Sequence, residues 1–207
     1  MLGSGEGNAL VETVPLWTVW SDRNHGSSQR RGRTVIGRRQ LPLSGQRGEA
    51  GRVGRAYAKG KSLLEKEQPA LAIPELQAAV AIDPENVDAQ ANLGVLLFFQ
   101  GKAAEAIPHF RAALARQPDL AKIHGLLGLA ESRTQDTADA REDMEAAFPL
   151  LEDRRFQAQV GLELVSIYTL NSDLDSAAAV IAQLRKADAD SPNISLQKWV
   201  KNGLEQT

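Results

Sequence analysis

Leu93, Leu96 and Leu97 form an apolar stripe at helical spacing, and Ile107, Phe110, Ala113 and Leu114 form a second after an interruption at Gly101-Lys102. The pattern predicts a helix over residues 92–100, a turn, and a second helix over 103–117. Gly101 can take the left-handed conformation that ends a helix without steric cost. The same arrangement returns at a 34-residue step: Gly60, Gly94 and Gly128; Ala72, Ala106 and Ala140; Ala79, Ala113 and Ala147. A large apolar residue recurs with them at Leu76, Phe110 and Met144, and Pro84 and Pro118 close the first two units. Small residues at fixed offsets let two backbones approach, and the bulky residue fills the space beside the crossing, so the unit is a helical hairpin.

A fourth unit keeps the internal spacing in Leu164, Tyr168, Ala177, Ile181 and Leu184. Ala140 to Ala177 is 37 residues, three more than the period, which predicts a helix extension or a longer turn. Pro74 and Pro108 each end an Ala-Ile-Pro triplet, so a slight bend in the second helix belongs to the unit. Ser172-Asp173-Leu174-Asp175 reads as a capping-box-like start, and Ser191-Pro192 as the start of a last helix to about Leu204. That helix gathers Leu196, Trp199, Val200 and Leu204 on one face, as expected of a cap closing the open end of a stack.

These residues resemble the tetratricopeptide repeat. Leu93-Gly94, Leu97, Ala106, Phe110, Ala113 and Pro118 follow its pattern in order, with Gln90 where a bulky residue often sits. In the first unit Lys59 replaces the usual leucine; in the third, His124 stands at the bulky position, Glu131 at the aromatic one and Glu152 at the proline. The resemblance implies an all-α, right-handed α-solenoid of helix-turn-helix hairpins. The units fall at about 53–86, 87–120, 121–154 and 158–190, with a capping helix over 191–207 and a segment over 1–52 ahead of them.

Such arrays grip an extended segment or helix of another protein on a concave surface lined by the first helix of each hairpin. Projected here, that surface comprises Tyr57, Lys61 and Leu64, then Asp88, Ala91, Asn92, Val95 and Phe98, then Lys122, Gly125 and Leu129. Tyr57, Val95, Phe98 and Leu129 would bury apolar side chains of a ligand, and Lys61, Asn92 and Lys122 would hold polar backbone or a carboxylate. One subset of the family clamps the terminal carboxylate of heat-shock chaperones. Asn92 and Lys122 match its pattern, but Tyr57, Lys61 and Leu126 stand where its Lys, Asn and Arg would be, so that specificity is not expected.

Composition narrows the rest. With 43% apolar but only 5% aromatic residues, the 207-residue chain suits Ala- and Leu-rich helices better than strands. Residues 1–52 hold eight Arg against Glu6, Glu12, Asp22 and Glu49, a net of +4, and the whole-chain value of -2 leaves -6 for the remainder. The stretch over 21–52 has neither helical nor strand period and reads as a disordered Arg/Gly/Ser-rich segment. Nucleic acid is not an expected partner; only this segment could engage it, through phosphate contacts. Ala9 to Trp20 is apolar but contains Glu12 and Pro15 and is shorter than the roughly 20 residues of a bilayer span. Glu6, with no Lys or Arg before that stretch, does not fit a signal peptide, so a cytoplasmic protein without membrane insertion is expected.

Cysteine is absent, which removes disulfides and thiolate chemistry. His25, His109 and His124 lack the spacing of a zinc site, and His109 is expected to be solvated. Acids such as Asp139, Glu142 and Asp143 read as a solvated helix face beside Arg141. No nucleophile has an identifiable base. The expectation is therefore a non-enzymatic scaffold or adaptor with a protein or peptide partner, no cofactor, no metal and no small-molecule substrate. The alternative is a regulatory or targeting module of a larger catalytic, secretion or signalling assembly.

Overall fold

Four helical hairpins follow one another in the computed structural model, which describes residues 44–189, with side-chain surroundings given for 51–187. The first hairpin is α1 (Ser44–Glu65) and α2 (Pro69–Ile82), the second α3 (Val87–Phe99) and α4 (Ala103–Arg116). The third is α5 (Ala121–Arg133) and α6 (Thr137–Ala147), and the fourth α7 (Arg154–Leu170) and α8 (Leu174–Ala189). The helix expected over 192–204, and the part of the arginine-rich segment before Ser44, lie outside the described residues. Helix α1 begins at Ser44, ahead of residue 53, because Gln46, Arg47, Glu49 and Ala50 are helix formers that carry the turn backward through the interspersed glycines.

All four hairpins turn in the same way. Glu67, Gly101, Gln135 and Ser172 have φ of 57°, 80°, 66° and 60°, in the left-handed region. The next amide in each case reaches back to close the helix: Gln68 to Leu63, Lys102 to Leu97, Asp136 to Glu131 and Asp173 to Tyr168, at 2.9–3.0 Å. This is the six-to-one closure of a helix C-terminus, and only the second hairpin meets it with the strain-free residue, Gly101. The starts of α3, α7 and α8 are fixed by side chains. Asn86, Asp153 and Asp173 accept from the amides of Ala89, Phe156 and Ser176 at 2.9, 2.8 and 3.1 Å. The cap of α8 is thus Asp173, not Ser172, whose left-handed backbone completes the turn. Its bonds to Ser176 hold the Asp173 carboxyl below its ordinary range.

Within each hairpin the repeated small residues lie at the crossing. Ala72, Leu76 and Ala79, then Ala106, Phe110 and Ala113, then Ala140, Met144 and Ala147 are completely buried. A Cβ on Gly128 would come within 2.6 Å of Met144 Cγ and 2.9 Å of the Ala140 carbonyl oxygen, so the backbones approach there as only glycine permits. Helices α2 and α4 continue through Pro74 and Pro108, both exposed in the second turn. The fourth hairpin differs at its entry. A single 3-10 turn, Phe148–Leu150, extends α6 and sets the Phe148 ring against Gly161, where an added Cβ would lie 2.6 Å from it and 3.0 Å from Leu184. Leu184 is 2% exposed while Ile181 is only half-buried, so Phe148 and Leu184 share the filling role expected of Ile181.

Candidate partner-binding groove

Two kinds of helix make up the array. The second helices α2 and α6 bury a single stripe each and leave the other face to solvent. The first helices α3 and α5 are enclosed more completely: residues 89–98 of α3 and 125–131 of α5 are buried without interruption. That enclosure decides what each projected groove residue can offer. Val95, Phe98 and Leu129 are 3%, 2% and 6% exposed, so their apolar surface is already covered in this structure. The Arg133 guanidinium lies 4.0 Å from the centre of the Phe98 ring, and Phe99 meets that ring edge-on at 5.4 Å.

The polar members remain nearer the surface. Tyr57 and Lys61, one turn apart on α1, are half-buried, as is Lys122 at the start of α5, and Asp88 is exposed. Asn92 is 7% exposed and joins two helices: its Nδ2 donates to the Asp88 carbonyl oxygen at 2.7 Å and toward the Tyr57 hydroxyl at 3.5 Å. Burial, with the Asp88 charge adding to it and the Asn92 bond opposing it, pushes the Tyr57 hydroxyl up to about 12. Tyr57 is therefore a neutral hydroxyl at any working pH. Tyr57, Asp88 and Asn92 form one cluster across α1 and α3, with Lys61 and Lys122 on the helices to either side.

Polar residues that the repeat pattern treats as oddities hold the second and third hairpins together. Gln90 donates to the Pro84 carbonyl oxygen at 2.7 Å, and its Oε1 meets His109 Nδ1 at 2.7 Å. One period later His124 repeats both contacts, Nε2 to Pro118 oxygen at 3.0 Å and Nδ1 to Asp143 at 2.6 Å. His109 is thus half-buried and bonded rather than solvated, and burial lowers its pKa. Asp143 likewise belongs to a part-buried pair, because the His124 ring reaches it from the neighbouring helix.

Sequence reasoning missed Glu131. Its side chain is completely buried, bonded through Oε1 to Arg111 Nη2 at 2.6 Å, and the same nitrogen reaches Asp139 at 2.8 Å. Its other oxygen, Oε2, is buried with no donor. Burial pushes the Glu131 carboxyl up to about 7, against the pull of Arg111 and with repulsion from Asp143 adding to it. The available signal was an acid closing the run Gly125-Leu126-Leu127-Gly128-Leu129-Ala130, at the aromatic position of the repeat. Among the described residues, no group of three or more His, Asp or Glu could hold a metal ion, and no helix is long and apolar enough to cross a membrane.

A family model described as "Tetratricopeptide repeat" matches residues 57–121 and 96–153. Among solved structures, a MamA fragment from Desulfovibrio magneticus RS-1 is similar at 20% identity, covering 68% of this chain and 78% of that one with a TM-score of 0.57. The first repeat domain of Spaghetti (RPAP3), bound to the HSP90 peptide SRMEEVD, is similar at 20% identity over 59% of this chain and 94% of that one, with a TM-score of 0.50. At such identities the likeness is one of fold. A comparison with curated proteins finds no match.

Proposed function

This chain belongs to the tetratricopeptide-repeat family, and from that footing we propose that it is a non-enzymatic interaction module whose first helices hold a peptide or helix of a partner protein. The observation that carries this reading is the alignment of Tyr57 and Lys61 on α1, Asp88 and Asn92 on α3 and Lys122 on α5, polar groups on successive first helices. Two ammonium groups, an amide and a neutral phenol can bind backbone carbonyls or carboxylates of a ligand. None of them is a nucleophile beside a base, which supports binding rather than chemistry. A similar fold carries a bound peptide in the Spaghetti structure. Here Tyr57, Lys61 and buried Leu126 replace the groups that would clamp a terminal carboxylate, so an internal segment of the partner suits the groove better. Affinity capture with the full chain, repeated with Asn92→Ala and Lys122→Glu, tests the reading. Loss of the same partner from both variants is expected; capture at wild-type levels by both would remove these residues from the groove.

A further inference from the structure

Phe99 and Arg133 are the last residues of α3 and α5 and stand one 34-residue period apart, so they hold the same place in successive units. Each follows a run of covered residues, yet both are exposed, Phe99 by 40%. The ring of Phe98 joins them: the Arg133 guanidinium lies 4.0 Å from its centre, and Phe99 meets its edge at 5.4 Å with the ring planes 80° apart. Phe98 itself is only 2% exposed, so both groups rest on a fixed support before any ligand arrives. Beside Arg133, Ser132 donates to Glu163 of α7, which ties this end of α5 to the next first helix. Arg111 and Arg116 of α4 and Arg141 of α6 each pair with a carboxylate, whereas among the described residues Arg133 pairs with none and lies on a ring instead. A guanidinium carries five N–H donors in a planar fork, and an aromatic face does not satisfy them as a carboxylate would.

We infer that Phe99 and Arg133 form a subsite, at the hairpin-turn end of the groove, for an acidic residue and an adjoining apolar residue of an extended partner segment. This rests on the groove reading above and gives the partner its chemistry. Lys122 marks the other end of the same helix. It stands 11 positions before Arg133, close to three full turns, so the two cations share one side of α5 at a separation of about 16 Å. An extended chain covers that distance in about five residues. The partner segment therefore carries two carboxylates about five residues apart, one for each cation, and an apolar side chain beside the carboxylate at Arg133 to cover Phe99. Val95, Phe98 and Leu129 between these ends are already covered, so the ends and not the middle of the segment set its affinity.

Random peptides of about twelve residues, long enough to span both contacts, are displayed on phage and selected on the full chain, and the most enriched peptide is synthesised with a fluorescent label for polarisation titrations. Enrichment of two acids about five positions apart, with an apolar residue beside one of them, is expected. Arg133→Gln should weaken the labelled peptide by about tenfold or more, and Phe99→Ser by about tenfold, with the helical circular dichroism of both variants unchanged. Arg133→Glu should prefer a peptide in which lysine replaces the matching acid, an inversion that a purely structural arginine would not produce. No enrichment, enrichment of basic or uncharged peptides, or a peptide indifferent to Arg133→Gln and not inverted by Arg133→Glu would overturn the inference. Weakening by Lys122→Glu without weakening by Arg133→Gln would remove the subsite and leave the groove reading standing; weakening by neither would remove both.

Discussion

Glu131 gives the sharpest quantitative handle on the array. Its carboxyl is completely buried, faces Arg111 from α4 and Asp139 and Asp143 from α6, and has one oxygen without a donor. A proton on Oε2 resolves the arrangement, because it supplies a donor beside Asp143 and leaves Oε1 to Arg111. The folded-state pKa of about 7 lies above the ordinary 4.5, so between those values the native protein binds more protons than the unfolded chain. The contribution is therefore complete below pH 4.5 and is lost as pH rises through about 7. At 1.36 kcal/mol per unit the loss is about 3 kcal/mol. Glu131→Gln keeps the volume, offers Oε1 to Arg111 and an amide donor to Asp143, and cannot ionise. Urea unfolding of both proteins at pH 4.5 and pH 8 isolates this group, since the two proteins differ at position 131 alone. The variant should gain about 3 kcal/mol relative to the wild type on going to the higher pH, with unchanged m-values. Parallel pH profiles for the two proteins would refute the reasoning.

Three other outcomes follow from the packing and the turns. Phe110→Ala should cost about 3–5 kcal/mol, because the ring is completely buried against Gly94; an unchanged Tm would remove it from the core. Gly128→Ala should destabilise by about 1–3 kcal/mol, since the new methyl meets both Met144 and the Ala140 carbonyl, and thermal melts would reveal a tolerant site as no change. Gln135→Gly should stabilise by roughly 0.5–1 kcal/mol, as glycine relieves the left-handed φ of 66° at a turn that Gly101 already makes without strain; a lower denaturation midpoint would contradict it.

The fold was legible because its determinants are local and periodic. Gly94 with Phe110, Gly128 with Met144 and the turn at Gly101 sit at fixed offsets, and each contact they make lies within one hairpin. The left-handed turns at Glu67, Gln135 and Ser172 were hidden because ordinary residues occupy them, and only the period from Gly101 points there. Gly161 falls 33 residues after Gly128 and could have anchored the fourth unit, but Phe148, which fills its notch, comes from outside the repeat pattern. The groove was legible in its polar members and not in its apolar ones. A pattern identifies which face a residue occupies; it does not tell whether that face is covered, and Val95, Phe98 and Leu129 are. Glu131 escaped because its role depends on Arg111 and Asp143, which lie on two other helices.

In the proposed function, successive first helices present one binding face to a partner. Site-specific photo-crosslinking in the full chain tests it most directly, with the reactive group placed in turn at Lys61 and Lys122 on that face and at Ala104 on the exposed side of α4. One protein partner captured from both lysine positions, and none from Ala104, is the expected result. Capture of that partner from Ala104 alone, with nothing from either lysine position, would contradict it.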